Sequence, residues 1–163
     1  MADGQTIYTI GHSDHSIEEF LALLQGHGVA VLVDVRSQPY SRWTPQFNHE
    51  GLKLAVERAG LTYVYLGDAL GGRPSDLALY DGDHPCYERM AATPTFQAGL
   101  ARLQGLARVS VVAIMCSEGD HTHCHRALLI APHLQAAGWK VLHIQPDGEA
   151  VEDVPKPKQM ALF

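Results

Sequence analysis

Eleven consecutive residues, Cys116-Ser117-Glu118-Gly119-Asp120-His121-Thr122-His123-Cys124-His125-Arg126, hold two thiols, three imidazoles and a guanidinium. A thiolate is the nucleophilic form of cysteine, and neighbouring cations stabilise it. Cys116 closes an apolar run from Val109 to Met115, where the competing role is a small core residue. Cys124 lies among His123, His125 and Arg126; Cys86 is given no role. Cys116, Glu118, His121, His123, Cys124 and His125 are also zinc-ligand types. Yet Cys116 and Cys124 stand eight positions apart, and no second Cys or His pair has finger spacing, so no metal site is assigned.

Four arginines, Arg36, Arg42, Arg73 and Arg126, occur in polar segments that follow apolar runs. Guanidinium forks match phosphate and carboxylate oxygens by two-point contacts. Arg126 stands near the start of a helix, whose free N–H groups favour an anion. An anionic ligand is the first reading. The alternative is that Arg36 pairs with Asp34 or Glu118 and stiffens the loops. His12, behind Gly11, is a candidate acid or base near neutral pH, with Asp34 or Glu118 as carboxylate partner. Ser13 and Ser37 add hydroxyls. Loop capping is the competing role for His12.

The elements that must position these groups follow from periodicity. Ile7–Ile10, Val29–Val35, Leu61–Leu66, Val109–Met115 and Val141–Ile144 read as strands buried on both faces. Ser16 and Glu19 form a capping box before Ile17, Phe20, Leu21 and Leu24 at helical spacing. A second helix is predicted from near Asn48 to Ala59, with Gly60 as its stop. A third begins at Thr93-Pro94 and carries Phe96, Leu100 and Leu103 inward. A fourth carries Ala127, Ile130, Ala131 and Leu134, with Pro132 bending it or delaying its start. Residues 67–92 show weak periodicity and read as one long loop, functional or disordered. Alternating strands and helices call for an α/β fold. We expect three layers around a mostly parallel five-stranded sheet, Rossmann-like or flavodoxin-like, with right-handed crossovers. Ligands of such sheets bind beyond the carboxyl ends of the strands, where all the polar groups above fall.

A chain of 163 residues, 46% hydrophobic and 18% charged, suits one compact domain. No apolar run spans a bilayer, and no secretory signal is evident, so we expect no membrane partner and a cytoplasmic location with reduced thiols. The net charge of −6 argues against unaided tight binding to a phosphate backbone. No cofactor can be named from the sequence. The domain is placed at 1–148, and residues 149–163, with Pro155 and Pro157, read as an extended tail.

Together, YTIGHS, LVDVRSQPYSR, LGDALGGRP, MCSEGDHTHCHR and VLHIQPDG resemble the family known as domain of unknown function 488, from Tyr8 to Gly148. The resemblance implies cytoplasmic α/β proteins and singles out His12, Asp34, Arg36, Ser37, Arg42, Gly71, Gly72, Arg73, Cys116, Glu118, Cys124, His125 and Arg126. It implies no reaction. LVDVRS and a later strand ending in Cys also resemble rhodanese-like sulfur-transfer domains. Those close a short loop around the Cys, often with Arg; here Arg126 stands ten positions after Cys116.

The last five residues, Gln159-Met160-Ala161-Leu162-Phe163, resemble the bacterial peptide that docks on the DNA sliding clamp. Leu162 and Phe163 would fill a greasy pocket, Met160 a side groove, and Gln159 would be the polar anchor. Folding back onto the domain is the alternative. The expected function is an enzyme of DNA maintenance or nucleotide metabolism acting on a phosphate-bearing substrate and recruited by the clamp. The alternatives are a rhodanese-like thiol enzyme and a zinc-stabilised binding module.

Overall fold

The computed structural model describes residues 5–118, 122 and 124–153. β-Branched and aromatic residues in succession form strand β1 (Thr6–Gly11). Helix α1 (Ile17–Gly26) starts at the expected capping box. The Glu19 N–H donates to Ser16 Oγ at 3.1 Å, and the Ser16 N–H donates to Glu19 Oε1 at 3.0 Å. Strand β2 (Val31–Asp34) is wholly buried, helix α2 spans His49–Arg58, and strand β3 spans Thr62–Tyr65. Helix α3 (Gly67–Leu70), a hairpin of β4 (Tyr80–Asp81) and β5 (His84–Pro85), and helix α4 (Tyr87–Ala91) follow. Thr93 caps α5 (Pro94–Val109) by accepting the Phe96 N–H at 3.1 Å. Strand β6 (Val112–Cys116), a π-helical turn over Arg126–Ile130 leading into α6 (Ala131–Ala136), β7 (Lys140–Ile144) and β8 (Ala150–Glu152) complete the chain.

The main sheet runs β3-β2-β6-β1-β7-β8, parallel except for the antiparallel β7–β8 pair at its edge. Alternation sorts its side chains onto two faces. Phe20 and Leu24 of α1 and Leu52 and Val56 of α2 pack against Ile10, Leu32, Tyr63 and Met115. Phe96, Leu100 and Leu103 of α5, with Ile130 and Leu134, pack against Ile7, Val33, Ile114 and Cys116 on the opposite face. The connection leaving β6 therefore runs to one face, while those leaving its neighbours β1 and β2 run to the other. A crevice opens where adjacent connections part in this way, and in such sheets that crevice is the usual ligand site.

Two expectations change. The sheet has six strands, because residues 150–152, assigned from sequence to the tail, return along β7. The stretch over residues 67–92 is not one loop: its elements are too short to show periodicity. Its glycines mark contacts rather than slack. A Cβ on Gly71 would lie 2.3 Å from Ser37 Oγ, and one on Gly72 would lie 3.0 Å from the His125 ring. Asn48 begins α2 without capping it, since Asn48 Oδ1 instead accepts the Ser41 N–H at 2.7 Å. Pro132 acts as expected: α6 starts only at Ala131, after the π turn.

Candidate active site

The carboxyl ends of β1, β2 and β6 are stitched together by their own backbone. The His12 N–H donates to the Cys116 carbonyl at 3.0 Å, Ser13 N–H to Ser117 O at 2.9 Å, and Val35 N–H to Met115 O at 3.0 Å. Beside β6 lies a cavity of about 900 Å³, bordered by Arg36, Ser37, Arg73, Tyr87, Cys116, Glu118, Cys124 and His125.

Two thiols meet at this cavity. Cys116 and Cys124 both line it, are almost wholly buried, and each thiol shifts the ionisation of the other. His125 Nδ1 lies 3.7 Å from Cys124 Sγ, while its Nε2–H donates to the Val35 carbonyl at 3.0 Å. That second bond fixes the ring and leaves Nδ1 toward the sulfur. Cys116 Sγ lies 3.8 Å from the Glu118 carbonyl. Charge falls unequally on the pair. The Cys116 hydrogen bond, His125 and the Arg126 backbone N–H pull the Cys124 thiol well below its ordinary range. The shared hydrogen bond and burial push Cys116 up. These surroundings favour negative charge on Cys124 over Cys116. The Tyr87 phenol, on the same cavity wall, is pushed up by burial and by the Cys124 charge.

The arginines divide. Arg36 is committed: its Nε and NH2 donate to Asp34 Oδ1 and Oδ2 at 2.9 and 2.8 Å, and its backbone N–H donates to Oδ1 at 3.0 Å. Asp34 Oδ2 also accepts the Tyr63 hydroxyl at 2.6 Å. The alternative reading of Arg36, as an ion pair stiffening the loops, is therefore present in the structure, although Arg36 still borders the cavity. Arg126 is fully buried and donates from NH2 to the Glu118 carbonyl at 3.0 Å, closing the loop after β6. Arg73 is exposed on the cavity wall; its NH1 donates to Asp83 O at 3.3 Å and its backbone N–H to Ser37 Oγ at 2.8 Å. Arg42 is exposed with its guanidinium carbon 5.3 Å from the Trp43 ring centre, outside the cavity lining. Glu118 is an exposed carboxylate on the cavity wall.

His12 is on the same rim but on the other face of the sheet. Its ring stacks on Phe47 at 4.4 Å between centroids. Nδ1–H donates to the Ser13 carbonyl at 2.8 Å, and Nε2 is buried with no hydrogen-bond partner among the described residues. Burial drives its pKa down to about 4, so the imidazole is neutral at physiological pH. Ser13 turns the chain there with φ of 50° and sits outside the cavity lining. The rim thus holds a thiol cleft on the α5–α6 face and a Tyr63–Asp34–Arg36 cluster, with His12 nearby, on the α1–α2 face.

Sequence reasoning missed Tyr63 and Tyr87. Tyr87 was hidden in the weakly periodic stretch; Tyr63 is brought to Asp34 by the β2–β3 register, which the sequence does not supply. His121, His123 and the tail residues Gln159, Met160, Leu162 and Phe163 lie outside the described residues. Among the described residues no group of three or more His, Cys, Asp or Glu side chains is arranged to hold a metal. No helix among them is long and apolar enough to cross a membrane.

A family model described as "Domain of unknown function DUF488" matches residues 16–131, which include every cavity residue named above. Comparisons with curated proteins and with solved structures gave no match.

Proposed function

The chain belongs to the DUF488 family, and from that premise we propose that it is a thiol enzyme in which Cys124 attacks an electrophilic, anionic substrate held in the rim cavity. The observation that carries this reading is the placing of Cys116 and Cys124 together on the wall of a roomy cleft, with His125 Nδ1 3.7 Å from Cys124 Sγ. A thiolate is stabilised by nearby polar hydrogens or positive charge, and the His125 ring, 3.7 Å from Cys124 Sγ, and the Arg126 amide are the groups placed to act on it. Arg73 and the outer edge of Arg36 give the cavity wall its positive charge toward an anion. Commitment of Arg36 to Asp34 favours this reading over one in which four arginines grip a phosphate. His12 faces away from the cleft, and the thiol reaction does not call on it.

The test is alkylation of Cys124 by iodoacetamide across pH, read by mass spectrometry of the peptides. Carboxyamidomethylation of Cys124 should reach half its limiting rate well below the ordinary thiol pKa. A Cys124 that stays unreactive until alkaline pH overturns the reading. Cys86 also has a lowered thiol pKa, from its hydrogen bonds to Arg89, so the experiment is run in a Cys86→Ser background.

A second reading concerns where the enzyme works. The terminal Gln159-Met160-Ala161-Leu162-Phe163 supports recruitment to a DNA sliding clamp, and with it a role in DNA maintenance. Tethering raises local concentration without a basic surface, which suits a net charge of −6. Clamp binding by the full chain should be lost on Leu162→Ala with Phe163→Ala. Undiminished binding discards this reading.

A further inference from the structure

We propose that Cys116 is the resolving thiol of the Cys124 reaction, which makes the cleft a dithiol–disulfide exchange centre for small disulfides bearing carboxylate or phosphate groups. The inference rests on the reading of Cys124 as nucleophile and adds the fate of its covalent product. Three features of the site carry it.

First, the partner of Cys124 is another thiol. Cys116 lines the same cavity as Cys124 and packs in the same buried cluster, at the end of β6, a strand buried along its whole length. A cysteine serving only as core filler needs no such partner. Second, the hydrogen bond from the Cys116 thiol to the Glu118 carbonyl is long at 3.8 Å and weak enough to break during a reaction. Third, the two thiols share one cavity wall with Arg73, and the cavity of about 900 Å³ holds far more than a peroxide. A large, cation-edged cavity over a dithiol fits a disulfide whose flanking groups carry negative charge.

The steps balance. Cys124 Sγ⁻ attacks one sulfur of R–S–S–R; that S–S bond breaks and RS⁻ leaves with the electron pair. Cys124 is then joined to the second half as a mixed disulfide. Cys116 attacks Cys124 Sγ, the bond to that half breaks, and the second RS⁻ leaves, taking up the proton Cys116 gives up. One disulfide is reduced by two electrons, two thiols are released, and Cys116–Cys124 becomes a disulfide. An external dithiol reductant, of the kind that keeps intracellular thiols reduced, returns it to the starting state by the same exchange in reverse.

The experiment uses the full chain in a Cys86→Ser background, oxidised glutathione as the probe disulfide, and intact-mass spectrometry. The parent should lose both free thiols, retain no glutathione, and become resistant to alkylation until reduced. Cys116→Ser should instead trap one glutathione on Cys124, with release slowed at least tenfold. Cys116→Ala, which keeps an apolar residue in the core position, should trap it as well, and circular dichroism verifies that each variant is folded. A parent that accumulates glutathione on Cys124 without closing the internal disulfide overturns the role of Cys116 and leaves Cys124 as nucleophile. Absence of any glutathione on Cys124 in the folded Cys116 variants overturns the exchange reading. The alkylation profile then tells whether the nucleophile itself has failed.

Discussion

Acidification below pH 6.5 should weaken the fold through His12. The ring is 4% exposed, stacked on Phe47, and its Nδ1–H is already spent on the Ser13 carbonyl. A second proton on Nε2 would be a buried donor with no acceptor among the described residues, which is why the folded-state pKa falls from 6.5 to about 4. Above pH 6.5 both folded and unfolded chains hold the ring neutral. Between 6.5 and about 4 the unfolded chain binds a proton that the folded chain refuses, so stability falls as the pH falls. At about 1.4 kcal/mol for each pH unit crossed, the window removes about 3 kcal/mol. That is a sizeable share of the roughly 5–15 kcal/mol typical of a domain. His12→Phe keeps an aromatic ring against Phe47 and cannot titrate. Urea unfolding followed by circular dichroism, at pH values from neutrality down to about 4, should give the wild type the steeper loss, with the two curves diverging by about 3 kcal/mol at the acid end. Parallel curves would refute the argument, as would an NMR titration placing the His12 midpoint near its ordinary value.

Other perturbations test the scaffold around the cleft. Gly67→Ala should destabilise severely, because its Cβ would lie 1.9 Å from the Arg36 carbonyl, a backbone atom, and 2.3 Å from Tyr65 Oη; thermal unfolding reads the loss, and a Tm near wild type would mean the α3 turn can shift. Asp34→Asn breaks the fork to a buried guanidinium and should cost about 3–5 kcal/mol in urea unfolding. Tyr63→Phe removes one of the bonds to Asp34 and should cost about 1–3 kcal/mol, clearly less than Asp34→Asn; equal losses would show that the phenol, not the ion pair, holds the cluster.

Local signals were legible in the sequence and parity between strands was not. Ser16 with Glu19 and Thr93 with Pro94 fix helix starts through contacts within four residues, so they read directly from the chain. Burial on both faces made the parallel strands visible as apolar runs. The gathering of polar groups at one rim follows from the same alternation of strands and helices. Which face each group takes depends on register: His12 shares a face with Tyr8 and Ile10, whereas Cys116 follows Val112 and Ile114 on the other, although Gly11 and Cys116 are paired neighbours. The contact between Cys116 and Cys124 depends on how the intervening loop folds, which no spacing rule supplies. β8 escaped notice because three residues, Ala150–Glu152, carry too little alternation to stand out from a polar stretch.

The antiparallel return of β8 carries Asp153 to the end of the sheet opposite the thiol cleft. Asp153 donates its N–H to the Val141 carbonyl at 2.9 Å and is clasped by the buried His143, 2.6 Å away, and by Gln135 at 3.0 Å. It is therefore moored near the entry end of β7, while the thiol cleft opens at the exit ends of the strands.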